Sequence, residues 1–272
     1  MKKILFSACD NTYIQRKSRD GLAELLRRND YHVDSFGNLN KKDLKSYSLF
    51  VVFNRGEYER VHTLDLNMPI VCSVDMGFST PYLYSSKEFS AYYSDFKNRS
   101  KRNRRSREAT ILVGIDCFQA LLRTIILLNS MPDYHINLIY SGRRDISGML
   151  CSHMSVYQEE DIDSMLSGTD LIIGSKYLAL EGIFNEKPVV VLGDCGLGGI
   201  VNSDTVMDMY RSGFIGKTEG DIDEYFPLHS LYQEIEKGFD MSDIELEYLP
   251  RKVEKERTIE QEKILRVVSS LC

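Results

Sequence analysis

Short apolar runs alternate with a helical stretch in the first third of the chain. Residues 18–29 carry Leu22, Leu25 and Leu26 at helical spacing, and Arg19, Glu24, Arg27 and Arg28 lie elsewhere on the helix. The apolar runs, each of a length typical of a buried strand, cover residues 4–8, 33–36, 49–53 and 70–74. Strands that alternate with helices are typical of a parallel sheet covered by helices. The pattern predicts an α/β domain over residues 1–100.

The same alternation resumes near Thr110 and predicts a second α/β domain over residues 108–245. Its predicted strands cover residues 111–114, 136–142, 171–173 and 189–192. Its predicted helices cover residues 118–129, 177–185 and 228–237. A third segment, residues 250–272, contains a helix predicted from about residue 253 to residue 271. The end of that helix has an apolar stripe formed by Ile264, Leu265, Val268 and Leu271.

Residues 169–201, TDLIIGSKYLALEGIFNEKPVVVLGDCGLGGIV, are the most informative stretch. They predict a strand, a turn, a short helix, a second strand and a glycine-rich loop. The turn Gly174-Ser175-Lys176 lies where the first strand leads into the helix. A helix begins with unpaired backbone N–H groups and the positive end of its dipole, so this turn predicts an anionic ligand.

Composition separates the two domains and excludes several classes of protein. The segment KNRSKRNRRSRE carries seven basic residues and one glutamate, and predicts a domain boundary. The net charge of −6 and the pI near 5.5 disfavour a general nucleic-acid or anionic-membrane binder. The N-terminal apolar run is too short for a signal peptide, and no run is long enough to span a membrane. Six scattered cysteines without CxxC pairs argue against zinc and against disulfides, so we expect a cytoplasmic protein.

Residues 169–201 resemble the donor-nucleotide region of GT-B glycosyltransferases. The family reads apolar strand, Ser, helix with Leu-Glu-Ala/Gly, Lys-Pro-Val-Val and a glycine loop. Here the matching residues are Ser175, Leu180-Glu181-Gly182, Lys187-Pro188-Val189-Val190 and Gly196 to Gly199. The resemblance covers mainly residues 109–217. It implies two Rossmann-like parallel-sheet domains facing a cleft, with a C-terminal helix that crosses back to the first domain. A helix packed on its own domain or on a partner chain is the alternative.

The resemblance also implies roles for single residues. Glu181 would accept hydrogen bonds from the ribose hydroxyls of a nucleotide, whereas a solvated helix glutamate is the structural alternative. Ser175 and Lys176 would contact the diphosphate, Ser175 through its hydroxyl and both through backbone N–H groups. A plain helix N-cap is the alternative for Ser175. The predicted donor site comprises Gly174, Ser175, Lys176, Tyr177, Glu181, Gly196, Gly198, Gly199, Arg143 and Arg144.

Two departures from the family pattern weaken the prediction of a retaining mechanism and of catalysis. Many retaining GT-B enzymes have a glutamate eight positions before the ribose-binding one, where this chain has Ile173. The family's basic residues after the first strand of the second domain are missing from Gly114-Ile115-Asp116-Cys117. Arg143 and Arg144 could supply that charge, or could be an exposed loop pair. The segment GDCGLGG lacks the GxGxxG spacing, which disfavours NAD.

Candidate catalytic acids are sparse in the first domain. Asp10 follows the first strand and Asp75 follows the strand over residues 70–74, and either could deprotonate an acceptor hydroxyl. Solvated or turn-capping aspartates are the alternative for both. We expect no metal and no cofactor apart from the donor substrate, because no carboxylate cluster or HExxH motif is present.

The sequence therefore predicts a glycosyltransferase that moves a sugar from a nucleotide diphosphate sugar to an acceptor hydroxyl, in cell-envelope polysaccharide or glycoconjugate synthesis. A catalytically silent relative that binds a nucleotide or a partner protein and a nucleotide-sugar epimerase are the alternatives. We also expect a weak peripheral contact between the basic run and anionic lipid headgroups. Its basic residues are Lys97, Arg99, Lys101, Arg102, Arg104, Arg105 and Arg107. The base, sugar, acceptor, stereochemistry and oligomeric state do not follow from the sequence.

Overall fold

The computed structural model describes residues 2–7, 13–36, 43–53, 57–58, 61, 68–74, 88–90, 109–216 and 226–272. The chain divides into two compact units. The first contains Met1–Asp95 and Lys255–Cys272, and the second contains Phe96–Glu254. The basic run and the candidate acids Asp10 and Asp75 lie outside the described residues.

The first unit contains a parallel sheet of five strands. The strands are β1 (Lys3–Phe6), β2 (His32–Ser35), β3 (Leu49–Val52), β4 (Ile70–Val74) and β5 (Glu88–Ser90). They lie in the order β2-β1-β3-β4-β5, and every pair is parallel. Helix α1 (Tyr13–Arg28) connects β1 to β2. The alternation of strands and helix predicted from the sequence is confirmed, and β5 is an additional edge strand.

One hydrophobic core of this unit includes the end of the chain. Leu22 and Leu26 of α1 are buried against Ile4 and Phe6 of β1. Ile264 and Val268, from the last helix, are buried in the same core, with Leu265 and Leu271 partly buried against it. The predicted apolar stripe therefore packs on the first unit, which settles the alternatives that the sequence left open.

The second unit contains a sheet of six strands. They are β6 (Thr110–Gly114), β7 (His135–Ile139), β8 (Met154–Tyr157), β9 (Leu171–Gly174), β10 (Val189–Gly193) and β11 (Gly196–Ile200). The order is β11-β10-β9-β6-β7-β8, and only the pairing of β10 with β11 is antiparallel. The fold class predicted from the sequence, two Rossmann-like parallel sheets, is confirmed.

Alternate residues of the central strands face different helices. The described helices of this unit include α2 (Phe118–Asn129), α3 (Ile162–Met165), α4 (Lys176–Phe184), α5 (Val206–Arg211) and α6 (Leu228–Asp240). Ile111, Val113 and Ile173 belong to a core that also contains residues of α2 and α6. Ile172 faces α4, where a Cβ on Gly182 would come within 2.7 Å of its Cδ1 atom. Glycine at this position therefore lets α4 lie close against the sheet.

Two helices begin earlier than the sequence predicts. Helix α1 begins at Tyr13, five residues before the predicted start, because residues 15–21 contain no apolar side chain and interrupt the hydrophobic periodicity. Helix α7 (Asp243–Leu271) begins ten residues early and continues through Pro250. A proline inside a helix removes one backbone hydrogen bond. Leu246 and Leu249, in the helical turn that precedes Pro250, are almost fully buried, and their burial offsets the lost bond.

Candidate functional site

The second sheet changes direction between β6 and β9. From β6 the chain adds β7 and β8 on one side, and then returns to add β9 and β10 on the other side. The connections after β6 and β9 therefore leave the sheet in opposite directions. In open parallel sheets, ligands bind outside the carboxyl ends of the strands at such a switch point. The candidate site lies at the carboxyl ends of β6, β9 and β10.

Three charged side chains meet at this edge, one after each of the three strands. The Nζ atom of Lys176, after β9, lies 3.1 Å from Asp116 Oδ2 and 2.8 Å from Asp194 Oδ2. Asp116 follows β6, and Asp194 lies in the turn after β10. We call these residues the switch-point cluster. Two carboxylates and one ammonium group give it a formal charge of −1.

The environment of Lys176 favours its charged form. Its side chain is 15% exposed, whereas those of Asp116 and Asp194 are 58% and 45% exposed. Burial is the largest single influence on the pKa of Lys176 and lowers it. The charge of Asp116 and the hydrogen bond and charge of Asp194 together outweigh burial, so the net pKa is raised. Lys176 is a fixed positive charge at the switch point.

The backbone of Lys176 differs from the sequence-based expectation. Its φ angle is +49°, in the left-handed region that side chains other than glycine, asparagine and aspartate rarely adopt. Its N–H group donates to the carbonyl oxygen of Phe214 at 3.1 Å. The predicted phosphate contact through this N–H group would require that hydrogen bond to break, so the ammonium group is the better candidate. Gly174 and Ser175 precede it at the carboxyl end of β9.

Ser175 occupies the N-cap position of α4 with extended backbone angles, φ −135° and ψ 172°. Its side chain makes no capping hydrogen bond. Its carbonyl oxygen accepts hydrogen bonds from the N–H groups of Leu178 and Ala179 at 3.1 and 3.4 Å. Ser175 is therefore the N-cap residue by position, as its alternative expects, but its hydroxyl does not cap the helix. A contact between its hydroxyl and a diphosphate remains a prediction.

Tyr177 and Glu181 lie in a helix that is buried on all sides. Seven consecutive residues of α4 are buried: Tyr177, Leu178, Ala179, Leu180, Glu181, Gly182 and Ile183. Glu181 is 6% exposed, so the expectation of a partly exposed or solvated helix glutamate is wrong. The hydroxyl of Tyr177 donates to Asp163 Oδ1 of α3 at 3.5 Å. Glutamate is among the residues that are least often buried, and this buried carboxylate lies on the helix that begins at the switch point.

The glycine-rich segment is a strand and not the predicted loop. Asp194 and Cys195 form the turn of a hairpin between β10 and β11. A Cβ on Gly198 would lie 3.1 Å from the carbonyl oxygen of Gly216, and one on Gly199 would lie 3.1 Å from Glu234 Oε2. Gly196 and Gly199 also have φ angles of +85° and +90°. Because these glycines have no side chain, other parts of the chain can pack closely against their backbone. Their contact with a donor nucleotide stays a prediction.

Arg143 and Arg144 lie in the exposed connection after β7, on the other side of β6 from Lys176. The Arg144 guanidinium group lies over the ring of Phe118, with its Cζ atom 4.4 Å from the ring centre. Phe118 is the first residue of α2, two positions after Asp116. The contact holds one positive charge near the start of α2. Arg143 is exposed, as expected if the two arginines form an exposed loop pair.

Sequence reasoning missed the two acids of the switch-point cluster. Asp116 stands in the segment where we noted only the absence of a basic residue, and Asp194 stands at the start of the glycine-rich segment. The signal that could have found them is their common position, since each follows a predicted strand of one parallel sheet. Among the described residues, no group of three or more His, Cys, Asp or Glu side chains could hold a metal ion. No helix in the described part of the chain is long and apolar enough to cross a membrane.

The raised pKa of Lys176 predicts a loss of stability at alkaline pH. The folded state binds the Lys176 proton more tightly than the unfolded state. This contribution is therefore complete below the unfolded pKa, about 10.4, and is lost as pH rises through the folded pKa. We expect the free energy of unfolding to fall more steeply with pH for the wild type than for Lys176→Gln. Urea unfolding from about pH 9 to about pH 12 measures this free energy, with Lys263→Gln, at an exposed position, as the control. The prediction would be contradicted if the free energies of unfolding of the wild type and Lys176→Gln differed by the same amount at every pH in this range.

No family model matches the chain. The mitochondrial formate dehydrogenase of Solanum tuberosum is 27% identical to it over 105 residues, which make up 36% of this chain and 28% of the dehydrogenase. The chain thus matches less than a third of that relative's length. The glycine-rich segment lies in a hairpin and not at a strand-to-helix turn, so it is not a dinucleotide fingerprint.

Solved structures resemble the chain over its whole length. Sucrose-phosphate synthase from Thermosynechococcus elongatus has a TM-score of 0.62 at 8% identity, covering 100% of this chain and 99% of its own. Anabaena HepE, solved in complex with UDP-glucose, has a TM-score of 0.62 at 12% identity, covering 99% and 100%. The glycosyltransferase VinC, solved in complex with DTDP, has a TM-score of 0.54 at 6% identity, covering 99% of each chain. The chain therefore has the GT-B fold, the fold of the glycosyltransferases that its sequence resembles.

Proposed function

We propose that the protein is a glycosyltransferase that moves a sugar from a nucleotide diphosphate sugar to an acceptor hydroxyl. The observation that carries this proposal is the arrangement at the switch point of the second sheet. The partly buried ammonium group of Lys176 stands at the start of α4, next to Ser175, whose hydroxyl does not cap the helix. The buried carboxylate of Glu181 follows on the same helix. The fold, shared with HepE in its UDP-glucose complex, supports the same proposal.

Each of these groups suits one part of a nucleotide diphosphate sugar. The Glu181 carboxylate accepts hydrogen bonds from the two ribose hydroxyls. The Ser175 hydroxyl and the Lys176 ammonium group hold the diphosphate, and Arg143 and Arg144 add positive charge from the far side of β6. When the bond between the anomeric carbon and the phosphate oxygen breaks, negative charge develops on the diphosphate. The dipole of α4 and the Lys176 charge stabilise it.

The switch-point cluster weakens the binding of a nucleotide diphosphate sugar. Lys176 already has two carboxylate partners, so an incoming diphosphate competes with Asp116 and Asp194 for the ammonium group. The formal charge of −1 also repels the ligand. Arg144, which is held over Phe118, offsets part of this repulsion. Donor affinity then depends on the balance between these acidic and basic side chains.

A second candidate, a catalytically silent protein that binds a nucleotide, is favoured by one observation. Ile173 is fully buried in β9, at the position where many retaining GT-B enzymes have a glutamate. A fully buried apolar side chain in a strand offers no acid or base. The silent protein and the enzyme share nucleotide binding and differ in turnover, so one experiment separates them.

A thermal-shift panel of nucleoside diphosphates and their sugars tests the proposal. We expect one nucleotide to stabilise the protein by about 2.7 kcal/mol when its concentration is about 100 times its Kd. NAD serves as the comparison, because it would stabilise a dehydrogenase. The sugar form of the best nucleotide is then incubated with the protein, and release of the nucleoside diphosphate is measured. Binding without release favours the silent protein, and the absence of any nucleotide shift would overturn both candidates.

A further inference from the structure

Two charged side chains of the second unit are almost fully buried. Lys187, shortly before β10, is 1% exposed, and Glu181, in α4, is 6% exposed. Every other charged side chain in the described part of the chain is exposed to a larger extent. Lysine and glutamate are almost never fully buried unless they are paired, because a lone buried charge loses its hydration without compensation. The two buried charges have opposite signs, so each is a suitable partner for the other.

The turn that ends α4 brings these two residues together. The N–H group of Lys187 donates to the carbonyl oxygen of Gly182 at 2.9 Å, and that of Glu186 donates to the carbonyl oxygen of Ile183 at 3.0 Å. Glu186 has a φ angle of +56°, in the left-handed region. These features form a Schellman motif, in which the side chain of the last residue commonly packs on two successive helical residues, here Gly182 and Glu181. Glycine has no side chain, so Lys187 is placed to meet Glu181.

The end of α4 lies directly on apolar strands. A Cβ on Gly182 would lie 2.5 Å from Cγ2 of Val189 and 2.7 Å from Cδ1 of Ile172. Asn185 donates from its backbone N–H and its Nδ2 group, at 3.0 and 2.9 Å, to the backbone carbonyl oxygen of Glu181. These two bonds go to the backbone of Glu181 and not to its carboxylate. Opposite charges attract each other more strongly in such apolar surroundings than in water.

We propose that Lys187 positions Glu181 for nucleotide recognition. Its ammonium group pairs with the buried carboxylate and fixes the orientation in which that carboxylate meets the ribose hydroxyls. The ligand in this inference rests on the proposed glycosyltransferase function. A carboxylate has two oxygens and about four lone-pair sites, so Glu181 can accept hydrogen bonds from Lys187 and from two hydroxyls together. Lys187 acts through Glu181 and is therefore a positioning residue.

Two nucleotides that differ only in the ribose hydroxyls test the inference. They are the nucleoside diphosphate that gives the largest thermal shift and its dideoxy analogue, which lacks both hydroxyls. Isothermal titration measures the Kd of each for the wild type and for Lys187→Met in the full chain. Methionine is apolar and of similar length, so the position stays filled. We expect Lys187→Met to weaken binding of the ribonucleotide by about tenfold and to leave the Kd of the dideoxy analogue within about twofold.

Two control variants separate positioning from general damage to the fold. Lys187→Arg keeps the positive charge, and we expect it to bind the ribonucleotide more tightly than Lys187→Met does. Lys237→Met removes an exposed lysine of the same unit that also pairs with a glutamate, Glu234. We expect it to leave both Kd values unchanged. A loss of structure would instead weaken the binding of both nucleotides alike.

Urea unfolding tests the pairing of the two charges without any ligand. Lys187→Met leaves the Glu181 carboxylate buried without its partner, so we expect a lower unfolding midpoint than that of the wild type. Adding Glu181→Gln removes the uncompensated charge. The double variant is therefore expected to unfold at a higher urea concentration than Lys187→Met. If Lys187→Met fails to fold, recovery of folding by the double variant is the same test.

Three results would overturn the inference. If the double variant is no more stable than Lys187→Met, the two charges are not paired. If Lys187→Met weakens the binding of both nucleotides by the same factor, or of neither, Lys187 does not orient Glu181 towards the ribose, and the proposed function stands. If the wild type binds no nucleotide, the proposed function and the positioning role fail together, whereas the unfolding measurements still show whether the charges pair.

Discussion

Glu181→Gln is expected to weaken nucleotide binding by about tenfold to hundredfold while the protein remains folded. Hydrogen bonds to a charged group contribute about 1.5–3 kcal/mol, and each 1.4 kcal/mol is about a tenfold change in Kd. Glutamine has nearly the same shape as glutamate, so the buried position stays filled. Isothermal titration of the wild type and the variant, with the nucleotide that gives the largest thermal shift, measures the effect.

The burial of Glu181 determines which substitution is informative. The side chain is 6% exposed, so Glu181→Ala would leave a cavity and unpaired polar neighbours in addition to removing the ligand contact. A loss of binding by the alanine variant could then reflect unfolding. Glu247→Gln, at an exposed position of α7, removes the same charge from the same unit and is the matched control. Equal affinities for Glu181→Gln and the wild type would remove Glu181 from the donor site and favour a different ligand.

The order of strands and helices around α4 could be predicted because it depends on local sequence. Val189 to Leu192 and Leu171 to Ile173 are continuous apolar runs, which is how strands buried on both faces of a parallel sheet read. Helix α4 lies between them and is short, so its ends are marked by Ser175 and by the turn before Pro188. Neither assignment needs knowledge of distant contacts.

The glycine-rich segment could not be assigned in the same way. Several glycines in a row weaken a strand, so the sequence favours a loop. In the structure, the chain reverses direction after β10 through Asp194 and Cys195, and β11 then pairs with β10. The backbone around Gly216 then packs against Gly196, whose carbonyl oxygen would lie only 2.4 Å from a Cβ on Gly216. That contact joins residues far apart in the chain, and local propensity contains no information about it.

The residues of the candidate site divide in the same way. Those within one local motif could be predicted from the sequence, and those that the fold brings together could not. Ser175, Lys176 and Glu181 lie within one local motif, so a resemblance over that motif could indicate them. Asp116 and Asp194 reach Lys176 only because β6, β9 and β10 are neighbours in the sheet, an order that follows from the fold.

Asp194→Asn is expected to tighten nucleotide binding, the opposite sign to most substitutions in a binding site. The change raises the formal charge of the switch-point cluster from −1 to 0, and the asparagine amide oxygen can still accept a hydrogen bond from Lys176. For a diphosphate charge about 8 Å away and an effective dielectric constant of about 40, the lost repulsion is about 1 kcal/mol. That corresponds to about a fivefold lower Kd.

Salt and two control variants test whether charge causes this gain. Asp194 is 45% exposed, so the difference between Asp194→Asn and the wild type should shrink as ionic strength rises. Asp204→Asn makes the same change at an exposed position of the same unit and should leave the Kd unchanged. Lys176→Gln should weaken binding, because it leaves two carboxylates without their ammonium partner. If Asp194→Asn instead weakens binding as Lys176→Gln does, then Asp194 holds Lys176 in its ligand-binding position and does not compete with the diphosphate.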